Sequence, residues 1–596
     1  MAGMIPVEML GFTEFPTIGK LSYRLTLGPY AFFWFELQGT PDSRAVGGST
    51  ETEATGVVIA LANAAALFEP STRRALEHTI LPKYLPKQRW FGAKARVIES
   101  TRIVDWIWLR QEMPASALVF LEVNYAGDGA ELYQAPLSLT VGRQAEELLQ
   151  ARPEAVLCDI RLGESAGVLH DALADDEACL ALLQAVEKRQ TLQGHSGRAE
   201  ASPTRVLAEI LTDAAPLKVV RSSAEQSNSS VAFGGKVMLK LFRRLEDGPN
   251  PDVEITRYLT EESPFPAIPP LAGYIDFLSP AGQGSTLAML QRVVPHQGDG
   301  WKKTLDELAR YYELCSTFRE LPEEVRQDNE SLLDLAAKET PKAARDRIGI
   351  YLDSAATLGR RTAQMHLALA ASSTNPSFQP ETLSRSDLQT MAFALRDRAT
   401  HAFHSLRASL PNLPDEIMDR AALALGQRGR ILRRFQALEQ IDPEIVRIRI
   451  HGDYHLGQVL WVENDFVIVD FEGEPARPLA ERRLKQPALK DVAGMLRSFS
   501  YAAYAGLLSY TARRPEEFGQ LEPWAAFWEK WSSVAFLHAY LETAPDSRIL
   551  PPDSARLEVL LDAFLLDKAL YELTYELNNR PAWVRIPLRG ILNLAR

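Results

Sequence analysis

The sequence predicts an α+β protein of more than one compact unit, and three observations carry that reading. Short apolar runs of strand length dominate the first half, among them 107–109, 117–123, 137–141, 231–233 and 236–242. In the second half apolar residues recur at helical spacing, as in Leu305, Leu308, Tyr312, Cys315 and Phe318, then Ala355, Leu358, Thr362, Met365 and Leu369. Between the later helices lies a stretch, His451 to Glu474, in which polar and acidic residues flank two apolar runs of hairpin length. At 596 residues the chain is too long for one core, so two to four units are expected.

Composition narrows the function classes. A hydrophobic fraction of 46% and a charged fraction of 24% are ordinary for a globular protein. A net charge of −12 argues against a nucleic-acid or anionic-membrane surface. The three cysteines, Cys158, Cys179 and Cys315, have no paired spacing and suit a reducing compartment. The N-terminus has no basic segment followed by an apolar core, and no apolar run is long enough to span a bilayer. A cytoplasmic protein, with neither nucleic acid nor membrane as partner, is therefore expected.

The chemistry is concentrated in His451 to Glu474. His451-Gly452-Asp453-Tyr454-His455-Leu456-Gly457-Gln458 precedes the strand-like Val459–Val462; a polar turn leads to Phe466–Val469, and Asp470-Phe471-Glu472-Gly473-Glu474 follows. A hairpin of this form brings Asp453 and Gln458 towards Asp470 and Glu472. Hard oxygen ligands so grouped suit Mg2+ bound with a substrate's phosphates. A lone H-G-D reads as a polar loop, but an Asp, an amide five residues later and an Asp after the next hairpin match phosphoryl-transfer enzymes. In that reading Asp453 orients the acceptor hydroxyl and takes its proton, and Gln458, Asp470 and Glu472 hold the metal. His455 and His366 read as structural, since magnesium prefers oxygen.

Upstream, Lys240 sits in an apolar strand between Met238 and Phe242 on a face expected to be buried, costly unless paired. Glu254, in a helix starting near Pro251, is the expected partner, repeating the Lys–Glu pair that positions ATP phosphates. Gln226, Ser227, Asn228 and Ser229 replace a glycine-rich loop and are expected to cover those phosphates, with the backbone of Gln291 and Val293 meeting the adenine. No G-x-G-x-x-G is present, so dinucleotide binding is not supported. Asp491 opens a later helix as a cap or as a support for the catalytic-loop backbone.

The strings H-G-D-Y-H-L-G-Q-V-L and D-F-E-G-E-P resemble maltokinases, and the Gln at 458 in place of the commoner Asn is similar to that subgroup. The basic and aromatic run 81–94 resembles the signature of the maltokinase cap. The resemblance implies a two-lobed protein-kinase-like (aminoglycoside-phosphotransferase-like) fold with an N-terminal cap subdomain, and ATP and maltose as substrates. L-G-P-Y-A-F-F-W-F-E-L, within an expected hairpin of strands 21–27 and 30–37, resembles the end of the C-terminal β-domain of trehalose synthase, an implied partner. The expected organisation is a β-hairpin remnant at 1–37, a linker at 38–56, a cap at 57–202 opening with a helix near 60–67, a kinase N-lobe at 203–295 and a C-lobe at 296–596, with a helical insertion at 410–440. On the last helix Lys568, Glu572, Tyr575 and Asn579 share one side, and the similarity of the run Tyr571 to Trp583, Arg580 included, to maltokinases implies a sugar site there. Alternatives are a kinase of the same fold acting on an aminoglycoside or amino alcohol, and a non-catalytic nucleotide-binding partner of trehalose synthase.

Overall fold

The computed structural model describes residues 57–595 except 95, 128, 213–216, 222–227, 283, 319–329, 443 and 546, together with the backbone of 5–8, 13–14 and 35–38. It divides into one unit of Met1–Asn250 with Leu271–Val293 and another of Pro251–Pro270 with Val294–Arg596.

The first unit is built on sheets. Ile5–Glu8 pairs antiparallel with both Thr13–Glu14 and Phe35–Gln38. The expected strand at 21–27 and its turn lie outside the described residues. Val58–Leu61 is a strand, parallel to Val156–Leu162, and a 3-10 turn at Ala64–Phe68 follows it, capped by the Asn63 side chain. The helix expected near 60–67 is therefore corrected: alternate residues Ile59 and Leu61 are buried, as period-2 backbone requires. The long strand Ala115–Tyr125 runs through an eight-stranded sheet, and Ile98–Arg110 pairs with it as a branch off the main strand order. The near-continuous burial of Ala115–Tyr125 has a simple cause, because each of its faces meets a separate core. Val119, Leu121 and Val123 pack with Phe91 and Tyr133, while Leu118 and Phe120 turn to the core of Leu239 and Leu290.

A seven-stranded antiparallel sheet completes this unit, in the order Thr191–Gln193, Arg198–Pro203, Leu271–Leu278, Gly284–Arg292, Val237–Phe242, Asn228–Phe233, Val219–Arg221. Because Arg198–Pro203 pairs with Leu271–Leu278 along its whole length, residues 191–203 join this sheet and not the cap. The next segment, Arg244–Leu245, instead extends the eight-stranded sheet by pairing with Ala130–Gln134. Gln134 ties the two sheets: its side-chain amide donates to the carbonyls of Phe242 and Leu287, each at 2.6 Å.

The second unit is mainly helical, and residues 251–270, read above as N-lobe, belong to it. The helices Tyr351–Leu369, Leu489–Thr511, Phe518–Thr543 and Ser554–Asn579 share one core. The expected insertion at 410–440 is the later part of a larger one, comprising Arg385–Ser409, Asp415–Gly426 and Arg428–Ala437. The hairpin forms as Val459–Val462 paired with Asp465–Ile468. Leu489–Thr511 presses on the segment before it: a Cβ on Gly494 would stand 2.6 Å from the Tyr454 carbonyl oxygen, so only glycine fits. Among the described residues no helix is long and apolar enough to cross a membrane.

Candidate active site

The loop around Asp453 is held from beneath by one carboxylate. Asp491, fully buried in the first turn of Leu489–Thr511, accepts from the backbone N–H of His451 at 2.7 Å and of Gly452 at 2.9 Å. Its remaining contact is His366 Nε2 at 3.2 Å, and His366 Nδ1 meets the Tyr540 hydroxyl at 2.9 Å. Burial alone would raise the Asp491 pKa, but the His366 hydrogen bond and the backbone donors hold it below the ordinary carboxylate value. His451 closes the other side, with Nε2 2.9 Å from the Val469 carbonyl oxygen. His366 and His451 thus brace the loop.

Asp453 is half-buried at the end of this loop. Lys568 Nζ lies 3.4 Å from its Oδ1, and His455 Nε2 lies 3.9 Å from its Oδ2. Burial works against the Lys568 charge, yet Asp453, then Glu572 and Glu474, raise its pKa above the ordinary lysine value.

Asp470 has φ of +68°, a left-handed conformation uncommon outside glycine and characteristic of functional positions. Asp470, Glu472 and Asp252 place carboxylate oxygens within 4.8 Å of one another. The Gln458 amide nitrogen donates to Asp470 Oδ2 at 2.9 Å, leaving Oε1 as the atom it would offer a cation. Four hard oxygen donors fit magnesium, and these residues would hold it. Asp252 was not legible in the sequence, where an acid in the first turn of a helix reads as a capping charge. Its Oδ1 also accepts from Phe471 N–H at 3.0 Å, joining the Pro251–Glu261 helix to the metal-site loop.

Glu254 is engaged within its own unit. Its carboxylate accepts from Arg449 Nη1 at 3.0 Å and from Arg483 Nε and Nη2 at 2.9 and 2.8 Å. Burial opposes its charge, but these arginines hold its pKa below the usual value. Two guanidinium groups therefore bind the Glu254 carboxylate. Lys240 itself lies mid-strand, half-buried, opposite Ser230 and Met289. Gln226 and Ser227 are outside the described residues. Asn228 and Ser229 open a strand, and the Ser229 hydroxyl accepts from Arg243 Nε at 2.8 Å, so it is held by protein. Val293 N–H donates to the Lys236 carbonyl at 2.9 Å and Gln291 stands in strand register, which removes the Val293 amide as an adenine donor.

Beside Asp453 opens a pocket lined among others by Glu474, Arg477, Lys490, Asp567, Lys568 and Tyr571. Of the six residues read as a sugar site, this pocket gathers Lys568 and Tyr571. Glu572 is instead buried in an ion pair, accepting from Arg497 Nε at 3.0 Å and Nη2 at 2.7 Å. Arg580 is engaged by Glu576 at 2.9 and 2.7 Å. The Asn579 amide donates to the Tyr575 carbonyl at 2.8 Å, and Tyr575 is exposed. Helical periodicity places Glu572 and Lys568 on one side, but side chains four apart still diverge where a second helix packs between them, and Arg497 comes from such a helix. Glu474, Arg477, Lys490 and Asp567 were missed. Their only sequence signal was the adjacency of Glu474 to the metal-site motif and of Lys490 to Asp491.

Braced loop, acidic cluster and adjoining pocket sit in a protein-kinase-like fold, and a kinase-type phosphotransferase is the class they fit. Residues 84–175 match the family model described as Maltokinase N-terminal cap domain. Residues 1–34 match the Maltogenic Amylase, C-terminal domain model. A glucosamine kinase from Streptacidiphilus jiangxiensis is 25% identical over 390 residues, covering 65% of this chain and 76% of that protein. A trehalose synthase/amylase from Mycolicibacterium smegmatis is 60% identical over 37 residues, 6% of each chain. The solved structure of a glucosamine kinase in complex with glucosamine, ADP and inorganic phosphate superposes with TM-score 0.55 and 21% identity, over 86% of this chain and 96% of that one, a likeness of fold.

Proposed function

We propose that this chain transfers the γ-phosphoryl group of ATP to maltose, giving maltose 1-phosphate and ADP. The observation that carries the acceptor reading is the charge state of the pocket beside Asp453. Each further carboxylate of its lining is already bound: Glu474 by Arg477 Nε at 2.6 Å, Asp567 by Arg398 at 3.0 and 2.9 Å, Asp491 by the loop amides. Such a lining offers paired donors and acceptors with an aromatic wall at Tyr571, which suits a neutral sugar. The maltokinase-type cap supports the same reading.

In the reaction, Asp453 orients the acceptor hydroxyl and takes its proton as the new O–P bond forms and the bond from the γ-phosphorus to ADP breaks. Lys568 holds Asp453 in place and faces the same pocket. Bound magnesium supplies charge neutralisation on the transferring phosphates. Lys240 is assigned to the nucleotide phosphates. An ATP-dependent reaction and three free, buried cysteines suit the cytoplasm. The match of residues 1–34 supports a working partnership with trehalose synthase.

A second reading, an amino-sugar acceptor, is favoured by the 390-residue match to a glucosamine kinase. It is disfavoured because a cationic acceptor wants an uncommitted carboxylate, and beyond Asp453 each carboxylate of the described lining is held by arginine or by loop amides. Measuring ADP release from ATP with maltose, glucose, trehalose, glucosamine and kanamycin in turn decides between them. Maltose is expected to stimulate release most, and stimulation by glucosamine alone would replace the proposal.

A further inference from the structure

Lys490 is a charged group of the acceptor pocket left without a use in the account above. It lines the cavity with Asp453, Arg477 and Lys568, is half-buried, and makes no side-chain hydrogen bond or ion pair among the described residues. Its position adds to the cost, since it is the second residue of the Leu489–Thr511 helix, where the helix dipole disfavours a cation. Burial, and next Arg477, lower its pKa, while the pull of Asp567, Glu474 and Asp491 is too weak to compensate. Those acids are committed elsewhere, to Arg398, to Arg477 and to the loop amides. An unpaired ammonium retained at such a place needs a partner that the protein does not supply.

We infer that Lys490 is an acceptor-binding and specificity-determining residue: its ammonium donates to oxygens of a neutral sugar in the pocket and repels the ammonium of an amino sugar. This rests on the reading of the pocket as the site of a neutral acceptor. A hydroxyl or ring oxygen accepts from Lys490 without altering the charge balance, whereas a second ammonium would share the cavity with Lys490, Lys568 and Arg477. Discrimination by repulsion of this kind needs no contact to the preferred substrate to be improved.

The test is steady-state kinetics of the full chain and of K490M, K490E and K490R with maltose and with glucosamine, alongside melting temperatures. Losing one charged hydrogen bond should raise the maltose KM of K490M about tenfold or more, with kcat at saturation little changed. The glucosamine-to-maltose ratio of kcat/KM should rise at least ~10-fold in K490M and further in K490E, and K490R should recover most of the maltose KM. K490M should melt at or above the wild type, because an unpaired cation has been removed. K490M with wild-type maltose KM and an unchanged ratio would overturn the assignment. So would a lower melting temperature with both acceptors affected alike, the mark of a structural lysine. Wild type acting on glucosamine and not on maltose would overturn the acceptor reading first, and this inference with it. Wild type active on maltose isolates Lys490 as the only quantity at issue.

Discussion

Lys568 Nζ and Asp453 Oδ1 stand 3.4 Å apart, joining the final long helix to the catalytic loop across 115 residues of sequence. The distance is that of a loose ion pair, leaving room for an acceptor hydroxyl to compete for the same carboxylate. K568M should lower kcat/KM for maltose roughly 10- to 100-fold, the value of one charged hydrogen bond. ADP binding, measured by calorimetry, should be unchanged. Wild-type kcat/KM in K568M would remove this contact from the mechanism.

The acidic cluster gives a ranked prediction. D470A should abolish magnesium-dependent turnover, and D252N should raise the magnesium concentration needed for half-maximal rate several-fold while excess magnesium restores activity. Equal magnesium requirements for D252N and wild type would confine Asp252 to its backbone contact with Phe471.

Glu572 separates a structural from a ligand role. It is 7% exposed and its partner Arg497 is 4% exposed. Removing one member of such a pair costs about 3–5 kcal/mol, because the other charge is left buried. E572A should therefore melt well below wild type, while the fraction that remains folded keeps its maltose KM. A raised KM with unchanged melting would return Glu572 to the sugar site.

Asp562 sets a pH dependence that can be read directly. Burial pushes its pKa up to about 6, against the opposing pull of its partner Arg434. The folded pKa exceeds the unfolded one, so the native state holds a proton that the unfolded chain has lost between about pH 4 and 6. The stability from this group is full below pH 4 and is lost as pH rises through 6. The melting temperature of D562N relative to wild type should thus rise between pH 4 and pH 7, and a flat difference would contradict the elevated pKa.

The hairpin and its flanking acids were legible because chemistry and spacing coincide within 24 residues of sequence, His451 to Glu474. Asp491 was legible as one of two roles, and its contacts select the loop support. Asp252 was not, because its contact with Phe471 spans 219 positions and no local pattern reports such a distance. The arginine partners of Glu254 were not legible for a related reason, since Arg449 and Arg483 arrive from 195 and 229 residues away. On the final long helix, periodicity orients side chains about one axis without saying which neighbours meet them. Glu572 finds Arg497, and Lys568 finds Asp453. Strand Val58–Leu61 shows the same limit at fold level, since four residues of V-I-A-L suit either structure until Val156–Leu162 pairs with them.

The central claim is that the Asp453 pocket directs phosphate onto maltose. Phosphorus NMR of the full chain with ATP, magnesium and maltose tests it most directly. The account predicts a new phosphomonoester signal split by the sugar's anomeric proton, growing in step with ADP and absent with D453N, whose turnover should fall roughly 10²- to 10⁴-fold. ATP consumed to inorganic phosphate with no such ester, or an ester formed equally well by D453N, would contradict it.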